Sequence, residues 1–75
     1  MDRVEVKWLD ACGCEGRMKA SKAKKRTPKI MRSMGWVLHE DDENLRIVSE
    51  RCMEGNVIGH LTVIPKENVV GMEFI

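Results

Sequence analysis

The C-terminal stretch of residues 59–75 constrains the fold of this chain more than any other part of it. Its pattern predicts a strand at residues 59–64, a single turn at residues 65–68 and a second strand at residues 69–75. Proline fixes φ near the value that a first helical turn needs and has no N–H to donate, so Pro65 can end one strand and begin a tight turn. Strands joined this tightly belong in a small, strongly curved sheet.

Three more strands are predicted upstream of this stretch. Val4, Val6 and Trp8 alternate with charged residues, which is the period-two pattern of a half-buried strand. The full set of predicted strands covers residues 3–9, 30–39, 45–52, 57–64 and 69–75. Residues 39–44 predict a polar hairpin tip, and residues 53–56 predict a turn with Gly55 at positive φ. Gly35, in the middle of the second strand, predicts a bend or a bulge.

The connection between the first two strands is long and mostly polar. Residues 10–16 contain two glycines and an aspartate and predict a loop. Residues 17–26 are nearly all good helix formers, so one or two helical turns are expected before Thr27 and Pro28 end them. We therefore expect a short helical or irregular insertion, exposed at the surface, between strands 1 and 2.

Length and composition limit the organisation to one domain, residues 1–75. A chain of 75 residues can bury only a modest core, so self-association into a homo-oligomer is expected to help its stability. Neither a signal peptide nor a membrane-spanning segment is apparent, and three cysteines suit a reducing compartment, so a cytoplasmic location is expected.

Charge is segregated along the chain although the net charge is only +1. The basic segment, defined as residues 17–32, contains no acidic residue and eight basic ones: Arg17, Lys19, Lys22, Lys24, Lys25, Arg26, Lys29 and Arg32. Residues 39–54 contain six acidic residues and two arginines. Two opposite poles favour an anionic partner or head-to-tail self-association.

Other residues with chemical potential favour simpler interpretations. Cys12, Cys14 and Cys52 with a histidine would make a poor zinc site, because the one close pair has a one-residue gap, and free thiols are preferred. Cys52 is expected to be a small packing residue, and the methionines are expected to fill gaps in the core, with Met18 and Met31 as candidates for a contact surface. Nothing places Cys12, His60 and Asp10 together as a nucleophilic set, so neither an enzyme nor a cofactor is expected.

Tryptophans in small barrels are usually core residues, but Trp36 follows the basic segment and is the preferred candidate for stacking on a nucleobase.

Two resemblances add to this interpretation. The order of five strands, with Ile64, Pro65 and Val69 at the final turn, resembles an SH3-like barrel, a fold that by itself implies no function. A second resemblance covers most of the chain and rests on Val6, Trp8 and Asp10, on Ser33, Gly35 and Trp36, and on the same final motif. These match the V-x-W-x-D, S-V-G-W and I-P-x-x-x-I pattern of small phage and prophage proteins. That resemblance implies a phage accessory protein without an assigned activity.

The leading hypothesis is therefore an all-β, SH3-like barrel that binds an anionic ligand without catalysis. The residues expected to bind the ligand are Arg17, Lys22, Lys24, Lys25, Arg26, Lys29, Arg32 and Trp36. The ligand is expected to be nucleic acid, or a nucleotide that serves as a signal in bacterial defence, which would make the protein a counter-defence factor. The alternative is a protein–protein module that docks on a host protein through its charged poles or an exposed strand edge.

Overall fold

Five antiparallel strands make up most of the structure. The computed structural model describes residues 1–11 and 16–75. The strands are β1 (Arg3–Asp10), β2 (Lys29–Glu40), β3 (Asn44–Arg51), β4 (Ile58–Pro65) and β5 (Val69–Phe74). A helix, α1 (Ala20–Ala23), lies between β1 and β2, and one turn of 3-10 helix (Lys66–Asn68) joins β4 to β5. All five predicted strands are present, and no end differs from the prediction by more than one residue.

The strands form one sheet in the order β4-β3-β2-β1-β5. The long strand β2 is at its centre and pairs with β1 from Lys29 to Trp36 and with β3 from Trp36 to Glu40. Among the described residues no pairing joins β4 to β5, so these two strands are open edges. The all-β prediction is confirmed, whereas the closure of the sheet into a barrel is not shown.

Gly35 lies where β2 passes from one partner strand to the other. A Cβ atom at this position would be 2.5 Å from the carbonyl oxygen of Val48 on β3. The backbones can approach this closely only because glycine has no side chain. The predicted irregularity in β2 occurs two residues later, between Val37 and His39, where the register with β3 shifts. Gly35 therefore permits a close approach of two strands and is not itself the bulge.

The turn between β3 and β4 has the backbone conformation that its glycine predicts. Gly55 has φ of 74° and Asn56 has φ of 52°, the left-handed region that these two residue types tolerate best. The N–H of Cys52 donates to the carbonyl of Val57 at 2.8 Å and closes the turn. The prediction of positive φ at Gly55 is thus confirmed.

The main core is a small cluster of aliphatic side chains on one side of the sheet. Its buried members are Val4, Val6, Leu45, Ile47 and Ile64, with Trp8, Val37, Val69 and Met72 packed against them. The indole Nε1 of Trp8 donates a hydrogen bond to Ser33 Oγ at 3.0 Å, which satisfies its one polar atom inside this packing. Trp8 is therefore a core residue.

Two packing predictions are wrong. Cys52 is exposed, because it directly follows the last residue of β3 and belongs to the turn. Met1, Met34 and Met53 are also exposed, whereas Met72 packs against the core. Met31, a candidate for a contact surface, is exposed as well. Met34 is exposed because it is on the side of β2 that faces away from the core, so methionine contributes to the surface of this domain as well as to its interior.

The molecule is elongated, with extents of 52 × 23 × 21 Å and a radius of gyration of 15.6 Å. A compact domain of this length would have a radius of gyration of about 11 Å. The elongated shape follows from the strand pairing. The pairing of β5 with β1 ends at Trp8. Beyond Trp8, Leu9 and Asp10 pair only with Ile30 and Lys29 of β2. The connection containing the basic segment thus begins at the end of a projecting two-stranded hairpin. No helix in the described residues is long and apolar enough to cross a membrane.

Candidate anion-binding segment

The basic segment is ordered by local hydrogen bonds but contributes nothing to the core. The helix α1 has four residues and none of them is buried. Backbone hydrogen bonds from Lys22 and Ala23 to the carbonyl of Lys19 start it, and bonds from Lys25 to Lys22 and from Arg26 to Ala23 follow, all at 3.0 to 3.2 Å. The helix ends early because Thr27 and Pro28 follow and no apolar face holds it to the sheet. The expectation of a short exposed insertion is confirmed.

All eight basic residues of the segment are exposed. Seven of them lie in the connection or at the first position of β2, and Arg32 lies further along that strand. The end of the connection and the start of β2 together line an open groove of about 660 Å³. Its lining residues are Lys25, Arg26, Thr27, Pro28, Lys29, Ile30 and Met31. An open, cationic surface of this kind can contact an extended anion along its length.

Arg32 pairs with an acidic residue on the neighbouring strand β1. Its Nε lies 3.0 Å from Glu5 Oε1, and its side chain is still 61% exposed. An exposed pair of this kind contributes little stability. Lys7 is opposite Arg32 in the register of β1 and β2, so it places a further cation beside Arg32. The charge pattern of the sequence did not assign Lys7 to the site. Only the register of the strands could have revealed it.

The acidic tip, defined as residues 40–43, lies at the other end of β2, and two of its carboxylates, Glu40 and Asp41, pair with residues outside the basic segment. Asp41 accepts hydrogen bonds from the backbone N–H of Asn44 at 2.8 Å and of Glu43 at 2.9 Å, and Arg46 Nη1 donates to it at 2.9 Å. These donors lower the pKa of Asp41 to about 2.

A second ion pair holds the first residue of the acidic tip. Lys66 Nζ lies 2.7 Å from Glu40 Oε1, and this contact raises the pKa of Lys66. Within the described part of the chain, the ion pairs of the acidic tip do not involve the basic segment.

Acidification should destabilise the fold through Asp41. The pKa of Asp41 is lowered from 3.8 to about 2, so its stabilising effect is fully present above pH 3.8 and is lost as the pH falls toward 2. The D41N variant should therefore have a lower melting temperature than the parent at pH 7, and this difference should disappear near pH 2. Thermal unfolding followed by circular dichroism at both pH values measures it. D42N, one residue along the tip, is the control, and an equal loss in both variants at pH 7 would contradict the role of Asp41.

The structure does not bring Trp36 to the basic segment. Trp36 is four residues beyond Arg32 on β2, about 13 Å of extended strand, and seven residues beyond Lys29, about 23 Å. Its own basic neighbours are Arg51, whose guanidinium carbon lies 5.6 Å from the ring centroid, and Arg3, opposite it on β1. Trp36 also lines two open grooves of about 200 and 460 Å³, which it shares with Ser49. Sequence reasoning missed both arginines, because they come from strands outside the basic segment.

The cysteine pair of Cys12 and Cys14 lies outside the described residues, so the preference for free thiols there stays a prediction. Among the residues that are described, no three histidine, cysteine or acidic side chains converge where they could hold a metal ion.

The fold and the segment together define a small all-β domain with an exposed cationic connection at one end of its longest strand. Comparisons with protein-family models, with curated proteins and with solved structures find no match to this chain. Its function is therefore inferred from its own geometry.

Proposed function

We propose that this chain is a non-catalytic binding protein that holds the phosphate backbone of nucleic acid through its basic segment. The observation that carries the proposal is the exposure of all eight basic residues at one end of β2, while Asp41 and Glu40 at the other end pair with Arg46 and Lys66. Like charges gathered in this way repel one another unless an anion compensates them. A polyanion supplies that compensation without requiring a fixed geometry of the lysines.

An extended anion fits this segment better than a small nucleotide does. Sites for small ligands bury most of the ligand among a few fixed polar groups. Here the cations are long, exposed side chains around an open groove of about 660 Å³. We therefore favour nucleic acid, and a cyclic nucleotide signal is the competing ligand in the experiment below.

The proposal also covers the curvature of the sheet and the biological role of the protein. The strand order β4-β3-β2-β1-β5 and the 3-10 turn between β4 and β5 support an SH3-like arrangement in which the sheet curls on itself. The motifs around Trp8, Trp36 and Pro65 support a phage accessory protein that acts in the cytoplasm of an infected cell, where binding nucleic acid or a nucleotide signal would counter host defence.

A binding titration tests this proposal. A fluorescently labelled single-stranded DNA should bind at low salt, and log K should fall linearly with log salt with a slope of roughly −4, as expected for about six phosphate contacts. Fluorescence anisotropy across a series of salt concentrations measures both quantities, with an RNA of the same sequence, a duplex and a cyclic dinucleotide as parallel probes. Absence of nucleic-acid binding at low salt, or tight binding of the cyclic dinucleotide alone, would contradict the proposal.

A further inference from the structure

The side of the sheet that faces away from the core carries a row of apolar side chains. Trp36, Val48 and Leu61 are register partners on β2, β3 and β4, so their side chains point to the same side of the sheet. The neighbouring pairs on the core side join Ile47 to Val37 and to Thr62. We call the opposite side the outer face, and its apolar members are Met34, Trp36, Val48, Leu61 and Val63.

Much of this outer face is open to solvent. Met34 is 57% exposed, Leu61 52% and Val63 46%, whereas Val48 in the middle of the row is completely buried although it is not part of the main core cluster. Isolated exposed apolar residues are common, but several side by side on one sheet indicate an interaction surface. A chain of 75 residues with so small a core would gain stability by covering them.

The distribution of charge along β2 identifies what covers this face. The basic segment is at the Lys29 end of β2 and the acidic tip at the Glu40 end, separated by about 36 Å of extended strand. Met34 and Trp36 lie near the middle of the same strand. A second copy rotated by a twofold axis near Met34 would place each basic end over the acidic end of its partner. A parallel arrangement would instead place like charges together.

We propose that the outer face is the interface of a symmetric homodimer in which the two β2 strands run antiparallel. Such an isologous contact is self-complementary, because the apolar centre meets its own copy and each charged end meets the opposite charge. Glu40 and Asp41 already have partners in their own chain, so Asp42 and Glu43 supply most of the negative charge. Asp42 and Glu43 can pair with at most two of the eight cations of a partner copy, so the dimer is compatible with the proposed binding of nucleic acid and does not depend on it.

Sedimentation analysis of the full chain and three lysine variants tests the interface. Wild type should sediment as a dimer, and M34K should sediment as a monomer, because the two introduced charges would face each other at the axis. M53K is the matched control: Met53 is 88% exposed in the β3–β4 turn, away from the outer face, and its replacement should leave the dimer unchanged. L61K is a second interface variant, and circular dichroism of each protein establishes that it is folded.

Crosslinking with a carbodiimide tests the orientation. In a mixture of isotopically labelled and unlabelled chains, bonds between copies should join Lys24, Lys25 or Lys29 to Asp42 or Glu43. A monomeric wild type, a dimer that persists in folded M34K and L61K, or bonds between copies that leave out the acidic tip would each overturn the proposal. So would a wild-type monomer that uses the same face for a host protein.

Discussion

Replacing Lys22, Lys24, Lys25 and Lys29 together with glutamine should lower the affinity for single-stranded DNA about 100-fold at low salt. Each lysine that contacts a phosphate releases counterions, so the slope of log K against log salt should also become shallower by about three. Glutamine is nearly as good a helix former as lysine, and all four residues are exposed, so the fold should be unaffected. Fluorescence anisotropy across a salt series measures both changes.

A charge-matched variant separates the basic segment from the overall charge of the protein. The four substitutions change the net charge from +1 to −3, because they remove four positive charges. Adding D2N, E50Q, E54Q and E67Q, all at exposed positions outside the acidic tip, removes four negative charges and restores +1. If binding depends on the basic segment, the compensated variant should still bind weakly. Recovery of wild-type affinity would show that net charge alone determines binding and would refute the assignment of the segment.

The G35A substitution should lower the free energy of unfolding by about 3 kcal/mol, at the upper end of the usual cost of overpacking. The new methyl group would lie 2.5 Å from the carbonyl oxygen of Val48, a backbone atom of β3 that cannot rotate away. The two strands would have to separate at the point where β2 exchanges partners. The total stability of a chain of this length is about 4–11 kcal/mol, so the melting temperature should fall by roughly 12–24 °C. Thermal and urea unfolding followed by circular dichroism measure the loss.

G71A is the control for this prediction. Gly71 is also within a strand, β5, but a Cβ atom there would meet nothing within 4 Å. The same change of residue should therefore leave the stability nearly unchanged or raise it slightly, because alanine restricts the unfolded chain. Equal destabilisation of both variants would indicate a general effect of alanine in these strands and would contradict the close approach at Gly35.

The sequence was sufficient to predict the strands and turns, because those depend on local patterns. Pro65 and Gly55 impose backbone conformations through their own covalent structure, and alternation such as that of Val4 and Val6 follows from the pleat of a strand. The register between strands depends on contacts that are distant in sequence. For this reason the position of Arg51 over Trp36, and of Lys7 beside Arg32, could not be predicted.

The side of β2 that faces the core was also not predictable from alternation. One side presents Met34 and Trp36 and is the more apolar, while the other presents Ser33, Gly35 and Val37. The less apolar side nevertheless faces the core, where Ser33 accepts a hydrogen bond from Trp8 and Gly35 permits the close approach of β3. Apolarity alone identifies an inner side only where the other side is polar, and here both sides are substantially apolar.

The separation of the basic segment from the core has a consequence for how this protein evolves. None of its eight cations is buried, and the side chains that stabilise the sheet lie elsewhere. Mutations in the segment are therefore exposed to selection for ligand affinity almost independently of selection for folding. If the segment binds an anion as proposed, changes in the length and charge of the β1–β2 connection would alter its target while Gly35 and the valines of β1 are retained.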